Sequence, residues 1–521
     1  MNNIFLIFSD AAKYANVARS LVIGNGYNAM FHFFGGAPQI LPVMPLSIEM
    51  FFKLFGVNDF AVIATSFFYF LLTLIFVFLL SKKVFKSSLI GILSTVAVGF
   101  NYDLINYATS GASESPFIFE IVAASYFVSV KKKWANIAAL LLLVLMYFTR
   151  PQAFIYIAGI ILFYLLMNFK MKKAWIYFGI ICFLGLMVDR FVLAPLSGKF
   201  FLYSILGRGS NVLSQLAVGQ SASDQLRSGT LTYSFSIAES LKKVFYDLYN
   251  FYKLLPQIIN PYLFALFAVG LFIPSMSKKE EGQGLLSAFK ISSFFMVVAT
   301  FIVTAASIPF FRYIHPVVPF IYTIAVGTLV SIINYQLPMI NGFSIFNFQF
   351  SKQQLLIFSS SFLVLLFGVG QTLGVILLDS RYNAGIHNVG KPPVYVVLSQ
   401  VLKQNTSTNQ TVVTNLDTWG SWYGERKTIW YPLTPKQLID PATGSIPFDA
   451  IYLTSYLIDD QNYYMGADWR QIFDNPQNPS LWTCDGCSEI SKEFRLAGTY
   501  SVGPDQDYER MSAKAVLFVR K

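Results

Sequence analysis

Ionisable side chains set in or beside long apolar runs are costly there, so each is a candidate for function. Asp10 opens a short amphipathic stretch, and Glu114 heads an apolar run. Arg150 stands between two such runs, Asp189 and Arg190 lie near the end of another, and Arg312 and His315 precede a later one. Glu120 falls deeper in its run than Glu114. If each run crosses a membrane once, all of these except Glu120 gather at one membrane surface. A transport path places polar groups through the mid-plane instead, so the pattern suits chemistry at a surface. Each residue also has a plain structural reading. Asp10 fits a helix N-cap, Asp189 and Arg190 fit a local ion pair, Arg150 and Arg312 fit snorkelling anchors, and His315 fits an interfacial helix start.

Composition sets the medium that holds these groups. Of 521 residues, 55% are hydrophobic and 12% charged, and Phe alone accounts for 52. Soluble domains are about 25% charged, so a soluble, fibrous or disordered chain is excluded and a multi-pass membrane protein is expected. Apolar runs at 60–80, 88–104, 115–130, 134–149, 151–169, 174–194, 258–276, 291–311, 317–334 and 355–378 count as ten spans. Four lysine clusters lie between them: Lys82, Lys83 and Lys86; Lys131, Lys132 and Lys133; Lys170, Lys172 and Lys173; Lys278 and Lys279. Parity puts all four on one side, which the positive-inside rule makes cytoplasmic. Residues 1–380 carry 25 Lys and Arg against 13 Asp and Glu, and residues 381–521 carry 13 against 14. The net +11 therefore belongs to membrane topology and not to a nucleic-acid surface.

Three units follow: a first outer segment, 1–59; a membrane unit, 60–378, with a long outer loop at 195–257; and an extracytoplasmic unit, 379–521. The last has strand-like runs TVVTNL, DAIYLTSYL and AKAVLFV and a helical stretch near 393–404, the pattern of a small α/β domain. Cys182 reads as inert core. Cys484 and Cys487 form a lone C-x-x-C with no second ligand pair, so zinc is not indicated and a small disulfide loop fits an oxidising space. Trp419, Trp422, Tyr423 and Trp430 fit aromatic core or membrane-facing anchors better than sugar stacking. No D-x-D stands in the membrane loops, Asp505-Gln-Asp507 is far down the tail, and no nucleotide-binding glycine motif occurs. The outer-loop cations Lys199, Arg208, Arg227, Lys242, Lys243 and Lys253 could hold an anionic head group or cover a cavity. At the start, NIFLIF is too short to span, and a further helix is expected upstream.

Several motifs follow one another in order. Asp10 is followed by ARSLVIGNGY and a proline-marked amphipathic helix ending in KLFG, with Leu46, Met50, Phe51, Leu54 and Phe55 at helical spacing. Then come YATSGASESPFIF with Glu114, YFTRPQAFIYIAG with Arg150, FFRYIHPVVPFIYTIAVGTL with Arg312 and His315, and VVTNLDTWGSWYGERKTIWYP in the tail. In this order the chain resembles GT-C glycosyltransferases, most closely the group of protein mannosyltransferases and lipid A aminoarabinose transferases. The resemblance covers most of residues 8–334 and part of the tail. It departs from the family in lacking the helix that normally precedes the catalytic Asp.

That resemblance implies a cell-membrane (inner-membrane) enzyme that takes a sugar from a polyprenyl-phosphate donor and transfers it, with inversion, to a glycan, lipid or protein hydroxyl on the outer face. Asp10 is then the general base. Arg312, then Arg150, bind the donor phosphate, because guanidinium stays charged and grips phosphate oxygens bidentately. His315 hydrogen-bonds phosphate or sugar, and Glu114 orients the acceptor or pairs with an arginine. No separate cofactor is implied, and no nucleic-acid partner. The alternatives are a lipid-linked glycan polymerase or ligase, which depends on basic residues in large outer loops, a transporter or flippase built on inverted repeats, and a non-catalytic accessory subunit.

Overall fold

The computed structural model describes residues 5–34 except 7, 40–168, scattered positions from 176 to 191, 237–273, 280–336 except 308, 344–345, 348–349, 351–378, 392–455, 465–502 and 513–521. The expected span at 174–194, the Asp189–Arg190 pair and Asp505–Asp507 thus lie wholly or partly outside the described residues.

The chain begins with α1 (Ser9–Val22), which has Asp10 in its first turn, where the helix dipole favours an anion. Gly24 and Gly26, both at positive φ, end it. A short strand β1 (Phe31–Phe33) follows, then α2 (Val43–Phe55), which buries Met44, Ile48 and Phe52. Its opposite face leaves Leu46, Met50, Leu54 and Phe55 exposed, as a helix lying along a membrane interface requires. Helix α3 (Asp59–Phe85) starts where the Asn58 side chain accepts from the Ala61 amide at 2.9 Å.

Beyond α3 come α4 (Ser88–Gly99), α5 (Tyr102–Thr109), α6 (Glu114–Ser129), α7 (Lys133–Thr149), α8 (Ala153–Asn168), α9 (Ile237–Ile258), α10 (Pro261–Phe272), α11 (Glu280–Ala306) and α12 (Val318–Gln336). A hairpin, β2 (Ser344–Ile345) with β3 (Phe348–Gln349), leads to α13 (Lys352–Val364), which continues through a π-helical turn into α14 (Gly370–Leu378). Among the described residues, Asp59–Phe85, Gly284–Ala306, Phe311–Tyr335 and Gln353–Gly374 are long and apolar enough to cross a membrane alone. Two bent pairs, α4 with α5 at 64° and α9 with α10 at 113°, bring the figure to six if each pair is one span, and α7 and α8 are shorter apolar helices. Several runs that read as separate crossings in the sequence are therefore short or broken helices. Asparagines cap the helices that follow both breaks: Asn101 accepts from the Leu104 amide, and Asn260 from those of Tyr262 and Leu263.

The C-terminal unit contains α15 (Val394–Asn405), β4 (Thr411–Thr414), α16 (Asp417–Trp422), β5 (Lys427–Trp430), β6 (Ala450–Thr454), α17 (Ala467–Asp474), α18 (Cys487–Glu493), β7 (Phe494–Val502) and β8 (Ala513–Arg520). Six strands form one mixed sheet in the order β1-β5-β4-β6-β8-β7. One edge strand, β1, comes from the first outer segment and pairs in parallel with β5, Phe31 opposite Thr428 and Phe33 opposite Trp430. Strand alternation divides the core. Val412, Ala450, Tyr452 and Leu517 pack with α1, α2, α15 and α16, while Val413, Ile451, Val516 and Phe518 pack with Trp469 and Ile490 on the other face. Cys484 and Cys487 are joined as a disulfide.

Candidate active site

The sequence between α5 and α6 is Ser110-Gly111-Ala112-Ser113-Glu114, and Gly111 decides where Glu114 sits. It adopts φ +73°, and a Cβ there would lie 2.8 Å from Val62 Cγ1 and 3.1 Å from the Ala11 methyl. Only glycine gives both the left-handed backbone and the close approach to α1. Gly111→Ala is expected to cost about 1–3 kcal/mol in stability, measured by denaturation of the purified protein. An unchanged midpoint would show that the turn gives way freely.

That turn brings the first carboxylate next to the second. Arg312 Nη1 donates to Asp10 Oδ2 at 3.0 Å, and Lys13 Nζ meets Asp10 Oδ1 at 2.5 Å. Arg312 Nε is 4.0 Å from Glu114 Oε1, and that same oxygen is 2.5 Å from Arg150 Nη1. Arg150 also donates to Ser113 Oγ at 3.1 Å, and Ser113 Oγ is 3.2 Å from the Tyr14 hydroxyl. Tyr313 lies beneath both guanidiniums, its ring centre 5.3 Å from Arg312 and 5.5 Å from Arg150. Two carboxylates and two guanidiniums, drawn from four separate parts of the chain, thus form one alternating chain of charge.

Burial grades this chain. Glu114 is 3% exposed and Arg150 10%, whereas Asp10 is 30% and Arg312 28% exposed. The inner pair is sealed and the outer pair is partly open to solvent. Partial burial opposes the charge on Asp10, but Lys13 and Arg312 outweigh it and hold the carboxyl well below the usual carboxylate range. Burial, reinforced by the Asp10 charge, pushes the Tyr14 phenol up.

His315 stands beside this chain and outside it. Its Nε2 donates to the Ile258 carbonyl at 3.1 Å, so Nδ1 accepts from the Tyr107 hydroxyl at 2.5 Å; Asp103 Oδ2 lies 3.4 Å from Nε2. With both ring nitrogens occupied and 2% exposure, His315 fastens α5 to the helix break at 258–261. Glu120, 1% exposed, accepts from Thr149 Oγ1 at 2.7 Å and takes no part in the outer chain.

Asp10, Glu114, Arg150 and Arg312, all singled out in the sequence, meet in one cluster. Lys13, Tyr14, Ser113 and Tyr313 join them unannounced. Lys13 follows Asp10 by three positions on one helix face, and that spacing was a readable signal. Tyr14, Ser113 and Tyr313 are visible only in the folded chain.

The C-terminal unit holds α1 in place. Asn16 Nδ2 donates to Ser421 Oγ at 2.6 Å, Arg19 donates to the Ser421 carbonyl at 2.9 Å, and Trp419 Nε1 donates to the Leu6 carbonyl at 3.1 Å. Trp422 Nε1 and the Tyr423 hydroxyl both donate to Asp59, at 2.7 and 2.9 Å. The clustered aromatics at 419–423 are thus joinery between α16, α1 and α3, and Trp430 is buried against Phe33.

Residues 37–189 match the family described as dolichyl-phosphate-mannose-protein mannosyltransferase, a stretch that holds Glu114 and Arg150. No curated protein matches the sequence. Among solved structures, ArnT from Cupriavidus metallidurans bound to undecaprenyl phosphate aligns with a TM-score of 0.51 at 13% identity, over 99% of this chain and 94% of that one. The Archaeoglobus fulgidus oligosaccharyltransferase, in complex with Zn and sulfate, aligns with a TM-score of 0.55 at 11% identity, over 97% and 70%. The chain has the GT-C fold. In that fold it is a multi-pass membrane protein of mainly helical structure with a C-terminal sheet unit, as the sequence led one to expect.

Proposed function

We propose that this protein is a membrane glycosyltransferase that transfers a sugar from a polyprenyl-phosphate donor to an acceptor hydroxyl at the extracytoplasmic face of the cell membrane. The family match over 37–189 and the GT-C fold support transfer from a lipid-linked donor. The polyprenyl phosphate bound by the ArnT structure supports the class of donor. The observation that carries the reading is the 3.0 Å pair between Asp10 and Arg312, residues 302 positions apart, at the open end of the charge chain.

In the proposed reaction the acceptor oxygen forms its bond to the anomeric carbon from the face opposite the leaving phosphate, so configuration inverts. The acceptor proton passes to Asp10, and the sugar–phosphate bond breaks with its electron pair on the phosphate. Arg312 receives the charge that grows on that phosphate. Arg150 is sealed against Glu114, so its contribution is to fix Glu114 and, through it, the position of Arg312; Arg312 is the direct phosphate ligand. His315, with both nitrogens engaged, holds the surrounding helices and not the donor. A donor phosphate competes with Asp10 for Arg312. Donor binding therefore loosens the pair that keeps Asp10 a weak base, and makes it more basic when it is needed.

Transfer of label from a panel of radiolabelled polyprenyl-phosphate sugars in membranes containing the protein tests this reading. Label reaching a glycan, lipid or protein acceptor is the expected result; none from any donor overturns it. Arg312→Ala is expected to weaken donor binding, at about 1.5–3 kcal/mol for a lost charged hydrogen bond. Unchanged donor affinity and rate would leave Arg312 an anchor only.

The pH dependence has a definite sign. The folded Asp10 carboxyl titrates below its unfolded value, so the stability it confers is present above the ordinary carboxylate range and is lost as pH falls through the folded value. Activity that requires ionised Asp10 should hold steady from about pH 7 to about pH 5, well above the ordinary Asp value of about 3.9. In Arg312→Ala the acid limb of kcat/KM should move to higher pH, since one of the cations that stabilise the carboxylate is gone.

A further inference from the structure

A second charged feature lies at the other end of the helices that carry the cluster. Asp59 and Glu114 begin α3 and α6; Lys82, Lys83 and Lys86 close α3, and Lys131 follows α6. At 1.5 Å per residue, the 27 residues of α3 put the two ends about 40 Å apart. The lysines surround a cavity of about 490 Å³, completed by Leu79, Tyr126, Ser129 and Leu285. That volume is in the range of small-ligand sites.

Three observations distinguish this cavity from lysines that merely orient a helix. Topology asks only for charge on one side, yet here two connectors separated by more than 40 residues of sequence converge on one hollow because α3 packs along α6. The four lysines form no ion pair among the described residues, whereas the cations of the outer cluster are paired with carboxylates. Lys82 lies over the Phe78 ring at 5.5 Å, and Leu79, Tyr126 and Leu285 give the wall an apolar side. The cavity therefore offers ammonium groups beside apolar surface at a helix end, which matches a ligand with an anionic head and a hydrocarbon body.

We propose that this cavity binds the phosphodiester head group of an anionic membrane phospholipid, on the membrane face opposite the Asp10–Arg312 cluster. A free phosphate satisfies the lysines but leaves the apolar wall uncovered. A zwitterionic lipid brings its own cation against them. The assignment does not depend on the transferase reading.

The test uses the full chain, purified in a neutral detergent, with phosphatidylglycerol, phosphatidylcholine or inorganic phosphate added separately. Phosphatidylglycerol should raise the unfolding temperature by about 3 °C or more, and neither of the others should. The triple variant Lys82→Gln, Lys83→Gln, Lys131→Gln should lose at least half of that rise. The corresponding triple to Arg should keep it, and so should Lys170→Gln, Lys172→Gln, Lys173→Gln, which removes the same charge from another connector. No rise in the unaltered protein, an equal rise with phosphatidylcholine or phosphate, or a full rise in the first triple overturns the proposal. Should that triple fail to insert, photo-crosslinking of phosphatidylglycerol to the unaltered protein decides: adducts within 79–86 and 126–131 are expected, and adducts confined elsewhere overturn it.

Discussion

Asp10→Asn is expected to lower the rate of sugar transfer by about 10²–10⁴-fold, the range that a positioned general base contributes, while the protein inserts and folds as before. The substitution keeps the shape of the side chain and removes its charge and basicity. Its structural cost is small, because Asp10 and Arg312 are each nearly a third exposed and Lys13 is 19% exposed, so solvent screens the pairs. The telling readout is the split between turnover and binding. Arg312 donates to Asp10 at 3.0 Å in the resting protein; with a neutral Asn there, the guanidinium is more available to a donor phosphate. Turnover should collapse while donor affinity holds or rises. A purely structural Asp10 gives the other pattern, in which stability and donor affinity fall together and turnover of bound donor survives. Binding of a labelled polyprenyl-phosphate sugar, measured beside single-turnover transfer, separates the two.

How much of this could be read before the fold was known varied with the kind of interaction. Apolar runs are a property of the sequence itself, so the multi-pass helical character was legible, and so were the charged residues that meet in the cluster. The three strand-like runs at 411–416, 449–457 and 513–519 each contain a strand, because a short apolar run of β-branched and aromatic residues fits a sheet covered on both faces. The run at 88–104 did not show its break, and the helix before the second break, α9, lies largely in the stretch read as an outer loop at 195–257. Each break turns on a single asparagine cap, Asn101 and Asn260, whose partners Tyr322 and the Phe367 carbonyl lie far along the chain. Strand β1 was equally hidden. Three residues, Phe-His-Phe, carry no period long enough to read, and only their pairing with β5 makes them a strand and ties the first outer segment to the C-terminal sheet. At the site, the sequence supplied the charged types but not their grading. That Arg150 is buried and Arg312 partly open depends on the packing around Ser113 and Gly111, and on that difference rests the proposal that Arg312 is the phosphate ligand.

The same grading makes Arg150 the most sensitive position for stability. Arg150→Met removes the cation 2.5 Å from Glu114, a carboxylate only 3% exposed. Breaking a buried pair by taking one partner strands the other charge, at a cost of about 3–5 kcal/mol. Part of that loss is recoverable in a way that exposes the wiring. Arg312 Nε is already 4.0 Å from the stranded oxygen, and a short swing brings it to Glu114 at the expense of its bond to Asp10. The variant should therefore be less stable and should also bind donor phosphate more weakly, although Arg150 is the buried guanidinium of the two. Removing the stranded charge as well, in Arg150→Met with Glu114→Gln, should restore much of the stability and return Arg312 to Asp10, with donor affinity recovering alongside. Chemical denaturation and donor binding, measured on the single and the double variant, test both halves of the argument. A double variant no more stable than the single would show that Arg150 acts through packing and not through Glu114. A single variant with normal donor affinity would show that Arg312 stays with Asp10 whatever happens to the inner pair.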